Sequence, residues 1–316
     1  MAAMLIRVLT LTLLLTLVGC GDDRPEKIAN YQRLTEARVA ALGQMLDNGE
    51  IRNANLLKQY ASIVTSQKAD LSPLLQELAK DGTSKGPLFT SLKRRLSELG
   101  NDNNFVDIDQ RLDEAENLYQ AADPSLFNDM LSDPVNVVAD MSDGALARVN
   151  SISREAAVLA NGAEDFGAGS QLVGNPAYGN WQTGSNGMSF WAWYGMYAMF
   201  SNFTRGPIGY DRWSSRRNYS YYNDVGRYRY TSPKQASSQN QTYQRTKKQF
   251  NSQGKKFDSP YAKSRSGSTS LSRQSSSVPK ASTAGTSKSK FRSNYSKNSN
   301  FRNSGNRTTR GVRRGK

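Results

Sequence analysis

The chain of 316 residues contains no His and one Cys, Cys20. Without imidazole there is no Ser-His-Asp triad, no His-ligated metal and no His acid or base. A single Cys excludes an internal disulfide and a Cys-rich zinc site. Apolar residues are 37% of the chain, which does not suit a polytopic membrane protein. These absences argue for a non-enzymatic protein with no cofactor and no metal. The one enzymatic reading left is a cell-wall hydrolase working with carboxylates alone, which needs two of them across a cleft. Acidic residues are also missing from one half, since only three of the 27 follow position 165.

The first twenty residues carry a single positive charge, Arg7, ahead of an apolar run over 8–18. That run is shorter than the roughly 20 residues that span a bilayer, and it reads as an export signal. Its end, Leu17-Val18-Gly19-Cys20, resembles the lipobox of bacterial lipoproteins. The resemblance implies removal of 1–19 and lipidation at Cys20. Each buried CH₂ contributes about 0.8 kcal/mol, and two or more chains anchor stably. It also implies a bacterial envelope location. Gly21, where an Asp would mark inner-membrane retention, favours the outer membrane facing the periplasm.

Charge divides the rest. Residues 21–165 hold 15 basic and 24 acidic residues, whereas 166–316 hold 26 basic and three acidic. Residues 20–165 read as an acidic helical domain. Ile28, Tyr31, Leu34, Val39 and Leu42 recur at helical spacing, and so do Leu56, Leu57, Tyr60, Ile63 and Val64. Asn48-Gly49, Asp81-Gly82 and Gly86-Pro87 divide the helices, and 146–159 reads as a last one. The acids Asp107, Asp109, Asp113, Glu114 and Glu116 do not form an EF-hand, because Leu112 stands where Gly is required. They read as a solvated helix face.

Residues 166–230 form a Gly- and aromatic-rich segment. No charge occurs over 166–204, all four Trp fall within 33 positions, and 16 of the 30 aromatics lie between Tyr178 and Tyr230. Residues 188–203 suit a hydrophobic helix. Its contact residues, Phe190, Trp191, Trp193, Tyr194, Tyr197 and Phe200, fit three roles: burial against the helical domain, a place in the membrane interface, or a partner surface. Arg212, Arg216, Arg217, Arg227 and Arg229 alternate with Tyr and Trp. They suit anionic headgroups or polymers, or stacking on the protein's own rings. Asn223-Asp224-Val225-Gly226 suggests the turn of a small hairpin.

The last 86 residues, 231–316, hold 20 basic residues, one acidic residue and 20 Ser. Their only Ile, Leu or Val are Leu271, Val278 and Val312. So little apolar surface predicts a disordered tail. A flexible chain of that length reaches about 50 Å. Ser189-Phe190-Trp191 to Tyr197, then 216–224, then a Ser/Lys/Arg tail, make the chain similar to uncharacterised bacterial envelope lipoproteins, a resemblance that implies no activity.

The expected architecture is therefore mainly α: a helical domain, an aromatic segment and a basic tail. The expected function is tethering, with Cys20 in a membrane and the tail on anionic envelope polymers or lipids. The alternative is an accessory subunit that docks on a membrane protein through 188–203. Export sets cytosolic nucleic acid aside.

Overall fold

The computed structural model describes residues 22–149 and 164–261, with Leu159 and Gly162 between them. The signal peptide, Cys20 and residues 262–316 lie outside the described residues, as does most of the helix expected over 146–159. Residues 146–149 are not helical.

The fold is mainly helical, with one small sheet. Its first half is α1 (Arg24–Asp47), α2 (Arg52–Gln67), α3 (Ser72–Ala79), α4 (Pro87–Leu99), α5 (Ile108–Ala121), α6 (Pro124–Met130) and α7 (Ser132–Met141). Local chemistry sets the breaks. Gly49 ends α1 with φ +76°, a conformation open to Gly. Asp107 caps α5 by accepting from the Gln110 N–H, and Asp123 caps α6 from the Ser125 N–H just ahead of Pro124.

Helices α1 and α5 run parallel. Arg24 meets Asp109 at 2.9 Å near both starts, and Arg38 donates to the Tyr119 carbonyl at 3.0 Å further along. Helix α4 returns between them. Phe89 at its start touches Gly43, and Gly100 just past its end lies beside Gln32. The expected solvated acidic face is corrected at one position. Glu114 is buried and paired with Arg95 at 2.8 and 2.9 Å, and Arg95 also donates to the Arg229 carbonyl. Helix α4 covers that side of α5, so the face is not free.

The second half contains β1 (Gly179–Thr183), β2 (Ser189–Trp193), α8 (Tyr197–Thr204), β3 (Ile208–Gly209), α9 (Tyr210–Arg216) and α10 (Pro233–Ser252). The strands form an antiparallel sheet in the order β1-β2-β3, with Trp181 opposite Trp191.

Three expectations change here. Residues 188–203 are not one helix. Trp191 and Trp193 point into the core while Phe190 and Ala192 are half-exposed, a strand alternation, and Gly195 at φ +64° turns the chain before α8. The hairpin turn lies between β1 and β2, not at 223–226. Residues Tyr222–Gly226 form a π-helical turn, because Asp224 is drawn back to the Ser220 N–H and the Arg217 guanidinium.

The third change concerns the tail, which does not begin at 231. Ser232 and Gln235 form a reciprocal capping box, and Pro233 opens α10. Ala236, Gln239, Tyr243 and Thr246 then recur on one buried face. A count of Ile, Leu and Val overlooks such a face. Residues 253–261 follow as a strap, with Phe257 only 5% exposed.

One buried core crosses both composition boundaries. It runs from Val39 and Leu42 through Leu118 and Phe127 to Trp191, Tyr222, Tyr243 and Phe257. The steps in composition at 165 and 230 are not steps in packing.

Candidate functional site

The aromatic residues assemble into one seam. Trp181 stands edge-on to Trp191 at 5.3 Å and to Tyr210 at 4.8 Å, and Trp193 stacks on Phe200 at 4.5 Å. Phe257 continues the seam, 6.0 Å from Tyr210 and 4.8 Å from Phe250, and Tyr261 lies 6.0 Å from Trp213. Such edge-on pairs add about 0.5–1.5 kcal/mol beyond area burial.

Of the six contact residues expected over 188–203, Trp191, Trp193 and Phe200 are buried in this core. Phe190 and Tyr197 are half-buried, and Tyr194 is 69% exposed. Its place can be traced through hydrogen bonds. Asp47 at the end of α1 holds Ser84. Asp81, three residues before Ser84, accepts from the Tyr178 hydroxyl at 2.7 Å. The Tyr178 carbonyl accepts from the Tyr194 N–H at 3.1 Å. Helix α1 has 24 residues. At about 1.5 Å per residue it spans about 36 Å. Tyr194 therefore sits at the end of the body remote from Asp22, the first described residue after Cys20.

The five arginines separate into two groups. Arg217 is fully buried, bidentate on Asp224 at 2.6 and 3.0 Å, and its Nε donates to the Pro260 carbonyl at 3.1 Å. Arg227 donates to Gln239 and lies 3.9 Å from the centre of the Tyr261 ring. Arg229 stacks on Tyr228 and donates to Gln120. These three serve the fold. Arg212 and Arg216 are exposed and share Glu164, at 3.2 and 3.0 Å.

Two buried carboxylates escaped the sequence reading. Burial pushes Asp81 up to about 7, against hydrogen bonds from the Leu88 N–H and the Tyr178 hydroxyl. Burial likewise pushes Asp133 up to about 7, although the N–H groups of Tyr221 and Tyr222 both bond to it. Each fastens the aromatic half to the helical half. Their sequence surroundings, Asp-Gly and Asp-Pro, read as ordinary breaks, and nothing local announces partners nearly a hundred residues away.

Among the described residues no group of three or more Asp or Glu is placed to hold a metal ion. No described helix is long and apolar enough to cross a membrane. Protein-family models, curated proteins and solved structures yield no match to the chain.

Proposed function

We propose that the chain is a non-enzymatic tether of the bacterial envelope, held in a membrane by lipid on Cys20, with residues 262–316 as the arm that binds an anionic polymer or lipid headgroup. The observation that carries this reading is where the charge lies. The described body holds 14 basic and 21 acidic residues over 22–149, then 12 basic and five acidic over 164–261, so its two halves cancel. Residues 262–316 hold 14 basic residues and no acidic one. The net charge beyond the signal thus belongs to the last 55 residues. Near an anionic surface each Lys or Arg contributes about 1 kcal/mol, with strong salt dependence. The lipobox resemblance supports the anchor, and Gly21 supports the outer membrane.

The test has two arms. A Cys20→Ser protein should move from the outer-membrane fraction to the soluble periplasm. Deleting 262–316 should abolish retention on anionic envelope polymers while leaving the anchor in place. Equal retention without those residues, or retention insensitive to salt, overturns the tether.

A second reading, an accessory subunit of a membrane complex, is favoured by one observation: Tyr194 stands exposed at the end of the body remote from the anchor. Photocrosslinking from position 194 distinguishes the two, since a single protein adduct supports the subunit.

A further inference from the structure

The strap 253–261 covers part of the aromatic seam in an unusual way. Beyond Lys255 its one described backbone tie to the body is the Pro260 carbonyl, which accepts from Arg217 Nε at 3.1 Å. The rest is side-chain contact. Phe257 lies against Tyr210, Tyr243 and Phe250, and the Tyr261 ring lies against Trp213 and under the Arg227 guanidinium. A segment held this way belongs to the low-stability end of a fold and opens before the rest.

What lies beneath it is not an ordinary core. The Tyr210 hydroxyl and the Trp213 indole N–H belong to fully buried side chains, and neither finds a hydrogen-bond acceptor among the described residues. A buried orphan donor costs about 1–3 kcal/mol, so each calls for an explanation. Both stand beside groups of the strap. Arg217 lies 5.9 Å above the Trp213 ring and gives its Nε to a strap carbonyl. Arg227 gives one face to a strap ring.

We propose that residues 253–261 are a displaceable cover over a ligand site formed by Tyr210, Trp213, Arg217 and Arg227, and that the ligand is a short anionic saccharide. The strap supplies two chemistries to these residues: a flat ring against Trp213 and Arg227, and an acceptor oxygen for Arg217. An acidic sugar supplies the same two, since its C–H face suits an aromatic ring and its carboxylate suits a guanidinium. Its hydroxyl oxygens also satisfy the Tyr210 and Trp213 donors, which the strap leaves unmet. A neutral sugar would leave Arg227 without an anion. A nucleotide base is the rival ring, and the test includes it.

Covering lowers the apparent affinity by the fraction of molecules that are open. If about 1–10% are open, a typical minor-state population, unlatching the strap raises affinity about 10- to 100-fold. The experiment titrates full-length protein with trigalacturonate, maltotriose and a thymidine trinucleotide, reading tryptophan fluorescence. Wild type is compared with Phe257→Ala, with Tyr261→Ala and with Phe257→Ala carrying Arg227→Gln, each checked for native circular dichroism. The expected result is at least tenfold tighter trigalacturonate binding in both strap variants, reversed by Arg227→Gln. No binding in either strap variant, equal binding in wild type, or preference for maltotriose or the thymidine trimer overturns the proposal. The site stands apart from the tether reading, because a trimer bound by 262–316 alone would not respond to Phe257→Ala.

Discussion

Arg95 and Glu114 pair in a place where neither charge meets water. Arg95 spends its third contact on the Arg229 carbonyl, so the pair also joins the two halves of the chain. Removing one partner of a buried pair leaves a bare charge and typically costs about 3–5 kcal/mol. Arg95→Met should lower stability to chemical denaturant by about that amount. Arg95→Met with Glu114→Leu should recover most of it, which an equilibrium urea titration would measure. Asp81 and Asp133 act through pH. Their ordinary value is 3.8, and both are pushed up to about 7 in the folded chain. Between those values the folded state holds protons that the unfolded state has released, so stability falls as pH rises. The urea midpoint should be highest near pH 4, decline to about pH 7 and then level. Asp133→Asn should flatten that slope, and an unchanged slope in the variant would place the titration elsewhere.

Elements were legible in the sequence to the degree that their signals were local. The breaks at Asn48-Gly49 and Gly86-Pro87 stand where Gly and Pro chemistry puts them, and α1, α2 and α5 follow their apolar periods. The segment 188–203 misled because it is apolar under either period. Only its pairing with β1 decides for a strand, and pairing is not a local property. Gly179 shows how tight that pairing is: a Cβ there would lie 2.0 Å from the Ala192 carbonyl oxygen. Gly179→Ala should therefore break the β1–β2 register, seen as loss of the near-ultraviolet signal of Trp181 and Trp191. Helix α10 was hidden for another reason, since its buried face is Ala, Gln, Tyr and Thr. Its capping box was nevertheless written plainly as Ser232-Pro233-Lys234-Gln235. Ser232→Ala should cost about 1 kcal/mol, measurable as a lowered thermal midpoint.

At the scale of the whole molecule, a charge of +15 describes no single surface. The described body is balanced, and the surplus lies beyond Tyr261. Two truncations separate the parts. Ending the chain at 261 should leave the thermal midpoint unchanged. Ending it at 230 removes α10, Phe257 and Tyr261, and should shift tryptophan emission to the red as water reaches Trp213. The candidate site was legible only in part. Arg217, Arg227 and Trp213 drew attention through their spacing, but the strap that joins them comes from residues the composition assigned to a disordered tail.

The Arg95–Arg229 bond joins residues 134 positions apart. Contacts of such long range slow folding, because a large loop must close before they form. As the chain is made, α1 to α5 emerge first, yet Glu114 and Arg95 wait for Arg229, and Tyr210 waits for Phe257. The helical half on its own is thus an intermediate with an open apolar flank, a state prone to aggregation. Maturation of this protein should depend on keeping that half unfolded, or shielded by a chaperone, until residue 261 has been synthesised.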